Sequence, residues 1–135
     1  MKKLATALVT AGLFFGGMGV AVADSWHSLS LTTPGAAFSG KYMWEEPLKK
    51  HGGLRLQGFL QDKDPDDGHN VFLRVKIEGH GWGRHDGVQR KDVKVDMTYY
   101  DGAVLKTKDV RLQVCRDRGV FRPDNCSTQR ILRRR

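Results

Sequence analysis

An all-β fold of short antiparallel strands, forming a small sandwich or barrel-like domain with one disulfide, is what this sequence predicts. Three observations carry the prediction. Apolar residues alternate with polar ones at period two in several separate runs. Residues that favour turns punctuate those runs. The composition also disfavours long helices: Asp outnumbers Glu twelve to three, and there are 16 glycines, residues that belong in turns rather than helix interiors.

From the N-terminus, Lys2 and Lys3 precede an apolar run from Leu4 to about Phe15, and Ala21-Val22-Ala23 follows. A positive start, an apolar stretch and an A-x-A site are the secretory pattern, so residues 1–23 read as a signal peptide removed before Asp24. Gly16, Gly17 and Gly19 keep the apolar stretch short of the ~20 residues a membrane span needs. Leu29 and Leu31 suggest a short first strand, and Pro34-Gly35 breaks it. Residues 44–50 have room for one helical turn, limited by Pro47. Leu54, Leu56 and Leu60 form a weaker strand interrupted by Gly58.

The clearest strands come next. Val71, Leu73, Val75 and Ile77 alternate with Phe72, Arg74, Lys76 and Glu78. Val93, Val95, Met97 and Tyr99 alternate with Asp92, Lys94, Asp96 and Thr98, and Val110, Leu112 and Val114 alternate with Arg111 and Gln113. One dry and one wet face on each strand points to antiparallel sheets. Asp64-Pro65-Asp66-Asp67-Gly68 is a turn between strands, and Gly79 to Gly87 reads as a long flexible connection. Asp101-Gly102 predicts a tight hairpin joining residues 91–100 to 104–114. Ile131 or Leu132 would anchor a last strand. The pattern does not fix strand order, and it leaves the oligomeric state open.

Removing the leader leaves residues 24–135 as a single domain, with a formal charge reduced from +8 to +6 by the loss of Lys2 and Lys3. Cys115 and Cys126 both lie in that part. An even cysteine count in an exported chain predicts one disulfide. The expected location is secreted or periplasmic, with no membrane span once the leader is gone.

Gly79-His80-Gly81-Trp82-Gly83-Arg84-His85-Asp86-Gly87 is the first candidate site. Trp82 offers a flat apolar face for a polymer, and His80, His85 and Asp86 could hold a metal, although no second ligand cluster accompanies them. The Asp62–Gly68 run resembles the start of a calcium loop, but its glycine is one place late and Leu73 stands where the bidentate Glu belongs. Arg116, Arg118 and Arg122 in the cysteine loop, with Arg130, Arg133, Arg134 and Arg135 beyond it, form the third candidate. Clustered guanidinium groups recognise polyanions. Nucleic acid is not the expected partner of an exported chain.

No motif for a catalytic serine, cysteine, metal or phosphate loop occurs, and no cofactor or resident metal is implied. The sequence therefore predicts a non-catalytic binding or structural protein that contacts an anionic cell-surface polymer or another protein. Its predicted contacts are Trp82, His80, His85, Arg116, Arg118 and Arg122. Two alternatives stay open: a small hydrolase such as a ribonuclease, in which Glu78, Arg84 and His85 would converge, and an inhibitor or toxin-like effector presenting the braced loop 116–125.

Val114-Cys115-Arg116-Asp117-Arg118-Gly119 and Arg122-Pro123-Asp124-Asn125-Cys126-Ser127 resemble a group of small exported actinobacterial proteins. These share a signal peptide, a β-rich domain of this size and a disulfide hairpin near the C-terminus. The resemblance implies export, a β-rich fold and the Cys115–Cys126 pairing. It implies no activity.

Overall fold

Alternating apolar side chains leave water when two sheets face one another, and the chain does this. The computed structural model describes residues 24–135; the leader assigned to residues 1–23 lies outside the described residues. Among the described residues nine strands follow in chain order: β1 (His27–Thr33), β2 (Ala36–Trp44), β3 (Leu54–Asp62), β4 (Val71–Ile77), β5 (Trp82–Asp86), β6 (Asp92–Tyr99), β7 (Asp109–Arg116), β8 (Asn125–Cys126) and β9 (Arg130–Arg133). One antiparallel sheet runs β1-β2-β3-β6, and the other runs β5-β4-β7-β8, with β9 also paired to β7. The architecture is an open sandwich, not a closed barrel.

Leu31, Phe38, Leu56 and Leu60 from the first sheet meet Leu73, Val110, Leu112 and Val114 from the second, all buried. Burying each such side chain stabilises the fold by about 1.5–3 kcal/mol. Gly40 and Gly58 sit opposite each other on the inner side of β2 and β3. A Cβ at Gly58 would strike the Ser39 carbonyl and come within 2.7 Å of the Phe38 ring. The glycine that interrupts the Leu54–Leu60 pattern is what lets Phe38 occupy the core.

Several expectations need correction. The segment Ala36–Trp44, not expected to be a strand, is one of the longest. Pro34-Gly35 does not end the sheet; it joins β1 to β2, with Gly35 at φ 84° serving the turn position that favours glycine. No hairpin forms at Asp101-Gly102, because β6 belongs to one sheet and β7 to the other. Residues 101–108 cross between sheets instead, anchored where the Thr107 hydroxyl donates to the His51 carbonyl and accepts from the Asp101 N–H. The Asp-rich turn likewise passes from β3 in the first sheet to β4 in the second. The glycine-rich stretch 79–87 holds β5, hairpinned onto β4. No helical turn forms at 44–50; a 3-10 turn occupies Lys50–Gly52.

Cys115 and Cys126 are bonded and sit directly opposite each other on β7 and β8. The last strand is Arg130–Arg133, and it buries Leu132 against the core while Ile131 faces out.

Candidate functional site

Strand register places side chains in rows on the outer face of the second sheet. Trp82 is opposite Lys76, Lys76 is opposite Arg111, and Arg111 is opposite Ile131. This row crosses four strands, a span of about 14 Å at the usual strand spacing. The adjacent row is Arg84, Arg74 and Gln113. A third row holds Asp86, Phe72, Cys115 and Cys126.

Charges on this face separate into two kinds. Arg84 is held in place. Its Nε donates to Asp86 at 2.6 Å, its Nη2 donates to Asp117 at 2.8 Å, and its guanidinium lies 3.7 Å over the Phe72 ring. That cover explains why Phe72, on the outward side of β4, is only 2% exposed. Partial burial opposes the Arg84 charge, but Asp117 and Asp86 outweigh it and raise its pKa. The Asp117 carboxyl is lowered by the Arg84 hydrogen bond and by the Gly119 N–H. Arg74, Lys76 and Arg111, by contrast, have no carboxylate within ion-pair distance among the described residues. Arg74 stacks over Trp82 at 4.5 Å, covering one face of the indole with its guanidinium.

The predicted site residues divide. Trp82 belongs to this face and is half-buried under Arg74. His80 bonds to Asp101 at 3.2 Å beside the β6–β7 crossover. His85 lies on the inner side of β5 and shares a 2.7 Å hydrogen bond with the Tyr99 hydroxyl. Burial pushes the Tyr99 pKa upward, so the phenol stays protonated. His80, His85 and Asp86 therefore do not come together. Among the described residues, no group of three or more His, Cys, Asp or Glu side chains is placed to hold a metal. Glu78, Arg84 and His85 do not converge either. Neighbours on a strand point to opposite faces, and the Glu78 carboxylate accepts from the Lys108 N–H.

Arg116 is withdrawn from the surface. Its Nη1 lies 3.3 Å from Asp67, and its stem passes beneath the Gly35 turn. Arg90 and Arg116 are the cations among the aspartates of the calcium-like turn: the Arg90 N–H donates to Asp62, and its guanidinium lies 3.9 Å from Asp66. Arg118 and Arg122 sit on the loop after β7. β7 ends five residues along the sheet from the Trp82 row, roughly 16 Å away. The hairpin arginines and Trp82 thus occupy opposite ends of the sheet.

What lies beside the row is the C-terminal strand. Ile131 and Arg133 point to the same face as Arg111, and Arg133 reaches Asp109 at 3.5 Å. Ile131, Arg133, Arg130 and Arg135 also line a cleft with Tyr42 at the β1–β9 side of the sandwich. Sequence reasoning missed Tyr42 because β2 was missed. The signal existed in Phe38, Gly40, Tyr42 and Trp44, which alternate with Ser39, Lys41 and Met43.

Comparison with protein-family models, with curated proteins and with solved structures finds no match for this chain.

Proposed function

We propose that this chain is an exported, non-catalytic binding domain that engages an anionic cell-surface polymer through the outer face of its second sheet. The observation that carries the reading is the Trp82–Lys76–Arg111–Ile131 row with Arg74 beside it. Like charges placed directly across a strand pair destabilise a sheet, and Lys76 with Arg111 is such a pair. An anionic chain laid along the row would relieve that repulsion, and Trp82 would supply apolar contact. The opposite sheet also sets an aromatic under cations, Trp26 beneath Lys41 at 4.6 Å and near Arg55 at 5.8 Å, but carboxylates and amides interrupt its face. There Arg55 and Gln57 reach Asp96, and Gln61 reaches Asp92.

Export is supported by the leader pattern and by the disulfide, a bond that persists in oxidising compartments. Among the described residues, no helix is long and apolar enough to cross a membrane. The experiment has two arms. Intact-mass analysis of the native product is expected to give an Asp24 N-terminus and no free thiol. Dextran sulfate, used as the anionic probe, is expected to bind with an affinity that falls as salt rises, because exposed ionic contacts are screened. Binding insensitive to salt would refute the reading.

A further inference from the structure

The geometry points to a second site: the cleft between β2 and the C-terminal strand binds a single acidic sugar unit. The inference goes beyond the electrostatic reading of the outer face and stands without it. The cleft holds about 660 Å³ where Asp24, Tyr42, Trp44, Glu46, Arg133 and Arg135 come together, within the range typical of small-molecule sites. A shallower extension adds Arg130 and Ile131.

Three features select the ligand. The first is a ring wall. His27 and Tyr42 pack against each other with centroids 5.2 Å apart and planes tilted by 30°, and neither is buried. Such a wall receives the apolar face of a sugar ring. The second is a cationic mouth. Arg130 and Arg135 are exposed and have no carboxylate partner among the described residues. Guanidinium forks match carboxylate and phosphate oxygens. Arg134 is not available for this, since it donates to the Gly52 and Glu45 carbonyls and covers Trp44. The third is an acidic far end that can accept sugar hydroxyls.

At that end the carboxylates differ in their freedom. Asp24 accepts from the Trp44 N–H at 3.0 Å and lies 3.2 Å from His27 Nε2. Partial burial opposes its charge, yet the Trp44 and His27 contacts prevail and lower its pKa. The Glu45 side chain is 7% exposed and lies 3.6 Å from Lys49. Glu46 is exposed and has no ion-pair partner among the described residues. Glu46 is therefore the acceptor left for a ligand. Asp24 serves as a positioning residue that ties the segment before β1 to Trp44 of β2. A ligand that satisfies wall, mouth and floor together needs one ring, one anionic group and free hydroxyls. A uronic acid meets this need, and so does a phosphorylated sugar.

The test is titration calorimetry on the purified protein with three probes: a glucuronic-acid disaccharide, its neutral glucose counterpart, and inorganic phosphate. The acidic disaccharide is expected to bind at least ~tenfold more tightly than either control, about what one charge-assisted fork contributes. Arg135→Gln, at an exposed position outside β9, and Tyr42→Ala are each expected to weaken it several-fold. Lys94→Glu, on the outer face of the first sheet opposite Phe59, is expected to leave it unchanged. Equal binding of inorganic phosphate would overturn the sugar assignment. Loss caused by Lys94→Glu or Lys76→Glu with no effect of Arg135→Gln would overturn the location. Dextran sulfate titrated against Lys76→Glu and Arg135→Gln side by side separates the outer face from the cleft.

Discussion

Replacing Lys76 by Glu separates function from fold, because the two should move in opposite directions. Lys76 stands directly opposite Arg111 on β7 and opposite Trp82 on β5. The substitution turns a repulsive cross-strand pair into an attractive one. Such pairs are worth a few tenths to about 1 kcal/mol, and solvent screening of partly exposed groups keeps the gain at the lower end. For a domain of about 112 residues, unfolding entropy near 0.24 kcal/mol/K converts a gain of ~0.2–0.5 kcal/mol into roughly 1–2 °C in Tm. Polyanion binding should weaken at the same time. With Arg74, Lys76 and Arg111 each neutralising one charge of a flexible chain, log affinity falls with log salt at a slope of about −2. A fourfold rise in salt then costs roughly 20-fold in affinity. Lys76→Glu leaves a net of one cation in this set, so the slope drops to about −0.7 and the same salt step costs about threefold. Differential scanning calorimetry and dextran sulfate titrations at several salt concentrations measure both. An unchanged or lower Tm together with an unchanged slope would refute the reasoning about this row.

The remaining predictions concern the framework. Replacing both Cys115 and Cys126 by Ala opens a ring with a sequence separation of 11 and should cost about 3 kcal/mol by chain entropy, seen as a lower urea midpoint. Gly58→Ala drives a methyl into the Ser39 carbonyl and the Phe38 ring, so a loss of about 2 kcal/mol or more is expected; stability equal to the parent would show that β2 and β3 can separate freely. Asp117 has its pKa lowered in the folded state, chiefly by Arg84. Its contribution is complete above the ordinary value of 3.8 and is lost as pH falls through the lower folded value. Asp117→Asn should therefore be less stable than the parent at neutral pH and lose less of its remaining stability on acidification, measured by urea unfolding at both pH values.

What the sequence disclosed, and what it hid, follows from how local each signal is. The β4, β6 and β7 alternations are properties of single segments, and each strand formed where its pattern lay. Partner choice is not local. Asp101-Gly102 has hairpin chemistry, but the chain gains more by carrying Val110, Leu112 and Val114 across to face the first sheet. β2 was hidden because Gly40 looks like a breaker until Gly58 is placed opposite it. Phe72 reads as a solvent-facing residue, and only Arg84 folding over it explains its burial. Trp82 was legible as a contact residue, while its companions Arg74, Lys76 and Arg111 come from three different segments that only register unites. His80 and His85 looked alike in sequence, yet one faces the crossover and the other the interior.

The way β7 is bordered has a consequence for how the molecule is made. One flank of β7 is closed by β4, and the other is closed only by β8 and β9, within the final eleven residues of the chain. Until those residues emerge, that flank has unpaired backbone groups and Val110 lacks Leu132 opposite it. Truncating the tail at Ser127 should leave a sticky sheet margin rather than a slightly shorter protein.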